Sequence, residues 1–315
     1  MAYPSRKELT EAAHRIAPHI HRTPVLHSAY LNARFHTSLY FKCENFQKVG
    51  AFKSRGAVNA VFSLPATEAA RGVATHSSGN HAQALARAAA LRNIPAYIVM
   101  PENAPRVKVN AVKDYGGQIT FCPPTLEARE STLKKILEKT GAVEIHPYNN
   151  RQVIAGQATA GMELLEDFPS LDLVLCPVGG GGLLSGTALA AHYFSSHARV
   201  IACEPAGADD AFRSFRAGKI IPSTNPRTIA DGLLTSLGSL TFPIIREFVS
   251  EIVTVKEENI KEAMRLIFER MKLVVEPSAA VPLAALLENK IKTQAKKIGI
   301  ILSGGNVDLT HLPWQ

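Results

Sequence analysis

At 315 residues, 46% hydrophobic and 20% charged, the chain has ordinary globular composition and length enough for two modest domains, which excludes a disordered segment or a single small module. The formal net charge of +8 raises nucleic acid as a partner. The basic residues are scattered, however, and their densest group (Lys290, Lys292, Lys296, Lys297) reads as a solvated helix end, so no nucleic-acid partner is expected and small anions suit the charge better.

The opening MAYPSRKELTEAAHRIA holds no apolar signal segment, and the cysteines Cys43, Cys122, Cys176 and Cys203 form no CxxC pair. Three of them fall in apolar strand-like runs, so a reduced, cytoplasmic chain is expected. The first strand is expected at Leu39–Cys43. It leads into QKVGAFKSRG, Gln47–Gly56. A surface lysine is the simpler reading of Lys53 taken alone. Its flanks of Gly50, Phe52 and Gly56 also suit a partly buried lysine, whose lowered pKa frees the amine for a Schiff base.

A strand at Val73–His76 meets the polar turn HSSGNHA and a helix over Asn80–Arg92. Ser77, Ser78 and Asn80 either cap that helix or grip a carboxylate at its N-terminus. Strands follow at Ala96–Met100 and Gln118–Phe121, with helices over Thr125–Lys139 and Gln152–Leu165. Leu173–Ala191 is uncharged and long enough to suggest a membrane span. Pro177 and four consecutive glycines break it into strand Leu173–Val178, loop and helix Leu183–Tyr193, and no membrane partner is expected.

In that loop, PVGGGGLLSG, side-chain-free N–H groups and a helix N-terminus make a phosphate cradle. A tight turn is the simpler alternative. The Walker A pattern fails because Phe52, not Gly, precedes Lys53-Ser54, and GxGxxG finds no third glycine; Glu204 lies at a ribose-binding distance and keeps a dinucleotide enzyme in play. The remaining strands are Val200–Cys203, Ile252–Val255 and Ile298–Leu302, with helices over Glu258–Lys272 and Ala279–Lys290, and a polar SGGN closes the last strand.

Strands alternating with helices predict an α/β protein of two lobes, with open, mostly parallel sheets covered by helices on both faces. Residues 1–68 and 150–315 are expected to form the larger, cofactor-binding domain, and residues 72–147 a small domain closing over the substrate. Ligands in such sheets lie at the carboxyl ends of strands, where most of these motifs fall.

Taken in order, KSRG, SSGNH, the four-glycine bend and the terminal SGGN closely resemble fold-type II pyridoxal-phosphate enzymes, whose fold is that of tryptophan synthase β, and within them the serine racemase and serine/threonine dehydratase family. The resemblance covers nearly the whole chain, through FKCENFQKVGAFKSRGAVNA, THSSGNHAQAL, AYIVMPENAP, VIAGQAT, PVGGGGLLSG, EPAGADD, TIADGL and ILSGGNVDLT.

The resemblance implies pyridoxal 5′-phosphate on Lys53, with Phe52 beside the ring, Asn80 on its 3′-oxygen, Gly179, Gly180, Gly181 and Gly182 on the phosphate and Ser303 on the pyridine nitrogen. A neutral hydroxyl there, rather than a carboxylate, suits elimination and brief proton exchange. Ser78 is implied as the second base, opposite Lys53, and the substrate carboxylate would sit on Ser77, Ser78, Asn80 and His81. Glu204, the Ala208 carbonyl and Asp210 match a site for Mg2+, Mn2+ or Ca2+. Gln83, Ala111, Tyr115, Lys272 and Asn306 match an allosteric ATP site at a dimer interface, so a homodimer is expected.

Three positions bear on specificity. Tyr148, after His146-Pro147, pulls toward a dehydratase or a microbial racemase. Arg129 suits a distal carboxylate. Thr235 stands where animal serine racemases have serine, and Ala82 replaces a glycine without clear consequence. The implied activity is serine racemisation together with loss of water from L-serine or L-threonine, giving 2-oxo acid and ammonia. A threo-3-hydroxyaspartate dehydratase or a dedicated threonine dehydratase is the alternative. EPAGADD argues against a sulfhydrylase or cystathionine synthase, and a non-catalytic sensor would leave Lys53 and Ser78 unexplained.

Overall fold

The computed structural model describes residues 3–77, 79–104, 106–291 and 294–314. Its strands are β1 (Val25–Leu26), β2 (Ser38–Cys43), β3 (Val73–His76), β4 (Ala96–Pro101), β5 (Gln118–Cys122), β6 (Val143–Glu144), β7 (Leu173–Pro177), β8 (Arg199–Pro205), β9 (Glu251–Val255) and β10 (Lys297–Leu302). The helices are α1 (Arg6–Ile16), α2 (Ala29–Phe35), α3 (Lys53–Ser63), α4 (Ala66–Ala69), α5 (Asn80–Leu91), α6 (Arg106–Asp114) and α7 (Leu126–Thr140). They continue with α8 (Arg151–Asp167), α9 (Gly182–Phe194), α10 (Asp210–Ala217), α11 (Thr241–Phe248), α12 (Glu257–Leu266) and α13 (Pro277–Leu287).

Two sheets result. One runs β1-β2-β10-β7-β8-β9 and is parallel except for its edge strand β1. The other runs β5-β4-β3-β6, all parallel, and is drawn wholly from residues 73–144. Alternate residues of the larger sheet enter different cores. Phe41, Leu175, Val253 and Ile300 pack with α12 and α13, while Val174, Ala202, Ile252 and Ile301 pack with α8, α9 and α11. Burial on both faces explains why these strands read as continuous apolar runs. The smaller sheet behaves alike, with Ile98 and Met100 facing α3 and α5, and Ala74 and Val99 facing Leu133 of α7.

Local chemistry sets the helix ends. Ser5 and Glu8 form a capping box on α1, Thr125 caps α7, and the Asn150 side chain accepts from the N–H groups of Gln152 and Val153 at the start of α8. One expectation needs correction, and one helix is unexpected. The helix expected over Glu258–Lys272 is α-helical only to Leu266; Ile267–Met271 widen into a π turn, and Lys272 ends it in the left-handed region at φ 59°. The unexpected helix is the eleven-residue α3, which Lys53 opens and whose apolar spacing is masked by Lys53, Ser54 and Arg55 at its start. Among the described residues no helix is long and apolar enough to cross a membrane.

Candidate active site

Because the strands around the centre of the larger sheet are parallel, the turns after β2, β10, β7 and β8 share one edge. The chain leaves β2 through two short 3-10 turns, with Val49 and Gly50 both at positive φ (56° and 67°). A side chain at Gly50 would collide with the Asn306 amide, its Cβ falling 2.6 Å from Oδ1. Backbone bonds then tie this turn to SGGN: Phe52 N–H donates to the Ser303 carbonyl at 3.0 Å, and Gly305 N–H to the Gly50 carbonyl at 2.9 Å. Ser303 is buried at this junction.

The axis of α3 is held by a buried charge cluster. The Arg55 guanidinium donates to both oxygens of Glu44 (2.7 and 2.8 Å) and both oxygens of Glu163 (2.7 and 2.8 Å), and Lys42 Nζ meets Glu163 at 2.6 Å. These groups join β2, α3 and α8. Two residues N-terminal along α3, Lys53 extends its Nζ to the Pro147 carbonyl at 2.8 Å, with the Phe52 ring centroid 5.1 Å away. Burial pulls the Lys53 ammonium down to about 8, against the opposing pull of the Glu276 carboxylate.

From the smaller sheet, β3 delivers the start of α5. The Asn80 amide donates to both oxygens of Glu276 (3.1 and 3.0 Å) and accepts from Asn306 Nδ2 at 2.8 Å. Gly79 N–H meets Ser77 Oγ at 3.3 Å. His81 is buried and pairs through Nε2 with the Ile145 carbonyl at 2.9 Å, so Nε2 carries the proton, and Nδ1 finds no partner among the described residues. Burial, with Lys53 beside it, pushes His81 down to about 3. Ser78, the expected second base, lies outside the described residues.

The four-glycine bend closes the other wall. Gly181 stands at φ +88° and caps α9. A Cβ on Gly179 would meet Leu233 at 2.8 Å, one on Gly180 the Tyr148 ring at 2.3 Å, and one on Gly182 the Tyr148 Cβ at 2.9 Å. Among the described residues nothing accepts from the N–H groups of Gly179 to Gly182. Four free donors at the head of a thirteen-residue helix, on a bend that tolerates no side chain, fit a phosphate. Lys53 meets Pro147 and the bend packs on Tyr148, so the amine and the cradle flank the same turn.

The residues expected to set specificity gather nearby. The Tyr148 ring stands edge-on to His146 at 4.5 Å, and His146 faces His76 at 6.4 Å. Burial raises the Tyr148 phenol, offset in part by the Thr235 hydroxyl beside it. Burial also lowers His76, and the charge of the nearby Arg129 adds to that.

The metal residues lie apart, after β8. Glu204 is buried and accepts the N–H groups of Ala211 and Phe212 at 2.9 and 2.8 Å. Both Asp210 carboxylate oxygens are buried without a hydrogen-bond partner of ordinary geometry, the Ser223 hydroxyl giving only partial relief. Burial pushes Glu204 up to about 9 and Asp210 to about 6. A buried Asp210 whose carboxylate lacks ordinary partners among the described residues, close to a buried Glu204, fits a hard cation, although no group of three or more acidic, histidine or cysteine ligands occurs among the described residues.

Of the residues matched to ATP, Gln83 lies on α5, Ala111 on α6 with Tyr115 just beyond, and Asn306 joins them through Asn80. Lys272 donates instead to the Glu269 carbonyl of its own helix end.

Two contributors escaped the sequence. Glu276 orients Asn80, and burial pushes its carboxyl up to about 7 despite that amide. Its one signal was a lone acid in the uncharged run of residues 273–287. The Pro147 carbonyl is backbone and carries no signal at all.

An amine of lowered pKa beside a side-chain-free anion cradle, at the carboxyl edge of a parallel sheet, defines a class that holds a phosphorylated aldehyde cofactor. The chain matches the family described as "Pyridoxal-phosphate dependent enzyme" over residues 16–304 and belongs to it. Over 316 aligned residues it is 52% identical to a serine racemase of Dictyostelium discoideum, covering 99% of this chain and 98% of that one. It is 51% identical to a beta-hydroxyaspartate dehydratase of Paracoccus denitrificans, over 100% of both chains. The structure of maize serine racemase superposes with a TM-score of 0.96 at 49% identity, covering 98% of this chain and 95% of that one.

Proposed function

We propose that this chain racemises serine and eliminates water from L-serine and related β-hydroxy amino acids, releasing 2-oxo acid and ammonia. The observation that carries the reading is the Lys53 amine, brought down to about 8 and held 2.8 Å from the Pro147 carbonyl beside four unengaged glycine N–H groups. Lys53 would hold pyridoxal 5′-phosphate covalently, Gly179, Gly180, Gly181 and Gly182 its phosphate, Phe52 and Asn80 its ring, and Ser303 its pyridine nitrogen. Bound there, the cofactor supplies an electron sink for negative charge at the substrate α-carbon.

With its amine free, Lys53 would take the α-proton on one face, and Ser78 would serve the other. Ser77, Asn80 and His81 receive the substrate carboxylate at the start of α5. The neutral His81 adds no charge of its own there. Residues 72–147 would act as a small domain that closes on residues 1–68 and 150–315 and excludes water. Glu204, Ala208 and Asp210 would hold a divalent cation, and a cytoplasmic homodimer with ATP at its interface is the assembly this reading implies.

One observation favours a second substrate. Arg129 lies close enough to His76 for its charge to lower that imidazole, which suits the distal carboxylate of threo-3-hydroxyaspartate, and a relative covering the full chain is a beta-hydroxyaspartate dehydratase. Chiral analysis of products from L-serine, L-threonine and threo-3-hydroxyaspartate, each with Mg2+ or chelator, tests both readings. D-serine and pyruvate from L-serine are expected. Absence of all turnover, or covalent cofactor on a lysine other than Lys53 after borohydride reduction and peptide mapping, would overturn the reading.

A further inference from the structure

Proline 147 has no N–H, so the crossing from β6 to α8 closes its turn on a side chain instead. His146 Nδ1 accepts the N–H groups of Tyr148 at 3.3 Å and Asn149 at 2.9 Å. A ring nitrogen that accepts twice holds no proton, so the ring proton sits on Nε2. Charging the ring would break both bonds. Burial, with His76 and Lys53 nearby, brings His146 down to about 4 and keeps the turn intact at neutral pH.

The rest of the turn is pinned on every side. The Tyr148 ring abuts Gly180, Asn149 Oδ1 accepts Leu240 N–H at 2.7 Å, and Asn150 caps α8. What the turn presents is the Pro147 carbonyl, aimed at Lys53 Nζ. A carbonyl only accepts, so it takes a proton donor from ammonium and free amine both, and holds the charged ammonium more strongly. A lysine joined to a cofactor has no need of it. A lysine released into the cleft, with four rotatable side-chain bonds, does.

We propose that His146 is a positioning residue for Lys53: by closing the turn through Nδ1 it aims the Pro147 carbonyl at the ε-amine and holds the released amine in one rotamer at the substrate face. This deepens the reading given above and rests on Lys53 being the cofactor lysine. The titratable groups facing that amine are Glu276 ahead of α13, His81 on α5 and His146 itself.

The test reads the amine directly. In the full-length chain freed of cofactor by hydroxylamine, Lys53 is acylated by trace acetic anhydride over a pH series and quantified by mass spectrometry. His146→Leu removes the acceptor, so the ammonium loses its carbonyl partner, and Lys53 reactivity at a fixed pH near neutrality rises about tenfold. His146→Asn, whose carbonyl accepts the same two N–H groups in an Asx turn, keeps the parent profile. His146→Gln displaces the acceptor by one methylene and behaves like His146→Leu, which preserves the comparison if the leucine variant does not fold. The visible band of bound cofactor after reloading shows that the site is intact in each. Identical labelling in parent and His146→Leu (or His146→Gln), or failure of His146→Asn to restore the parent profile, overturns the proposal. Attachment of the cofactor to another lysine would end the functional reading instead, and the cofactor-free labelling distinguishes the two.

Discussion

Replacing Arg55 by methionine is expected to cost far more than loss of an ordinary ion pair. The guanidinium is fully buried, makes four charge-assisted bonds to Glu44 and Glu163, and adds a fifth to the Thr159 hydroxyl at 3.1 Å. Glu163 keeps Lys42, but among the described residues Glu44 keeps only the Thr23 hydroxyl as a hydrogen-bond donor, with the Lys42 charge acting on it without a bond. An uncompensated buried carboxylate costs about 3–5 kcal/mol, and at about 2 °C per kcal/mol in a chain this long the thermal midpoint falls roughly 6–10 °C.

In the parent, burial pushes Glu44 upward but the Arg55 cation outweighs it, leaving the carboxyl below its usual range. Its contribution is therefore present above the unfolded pKa and lost as pH falls through the lower folded value. In Arg55→Met the carboxyl is raised instead, so the deficit is largest near neutrality and narrows below about pH 4.5, where the unfolded carboxyl also binds a proton. Urea unfolding followed by circular dichroism at neutral and acid pH measures this. The pair Arg55→Met with Glu44→Gln should recover about 1–3 kcal/mol, because the orphaned charge is gone. A single-variant loss below about 1 kcal/mol, or a double variant as unstable as the two losses added together, would refute the argument.

Four further outcomes follow from the geometry. Lys53→Ala should lose covalent cofactor and its visible band while keeping the circular dichroism of the parent, since among the described residues the amine bonds only the Pro147 carbonyl. Gly180→Ala forces a methyl into the Tyr148 ring and should weaken cofactor affinity at least about tenfold, with partial recovery in Gly180→Ala with Tyr148→Ala, read by fluorescence titration. Glu276, raised to about 7, contributes stability below its unfolded pKa that is lost as pH rises through 7. Glu276→Gln should therefore gain roughly 2 kcal/mol on the parent between pH 5 and pH 8 in urea unfolding. Ca2+ at about a hundred times its dissociation constant should stabilise the parent by about 2.7 kcal/mol, and Asp210→Asn should abolish most of that gain in a thermal-shift assay with and without chelator.

The layered α/β order was legible in the residues because both faces of each central strand are buried, so runs such as Leu173–Pro177 and Ile298–Leu302 are continuously apolar whatever surrounds them. The polar turns at their ends stood out for the same reason. Short or capped elements did not: β1 and β6 have two residues each, and α3 begins with three polar residues that hide its apolar face. Local chemistry alone thus set which segments become strands and which turns carry the reacting groups. Only the tertiary structure decided that Glu276 grips Asn80 across 196 positions, that Arg55 binds Glu163 across 108, and that a histidine-closed turn offers its carbonyl to Lys53. Those contacts depend on how two separate sheets are laid against each other, and hydrogen bonds made across such distances leave no periodicity in the chain to be read.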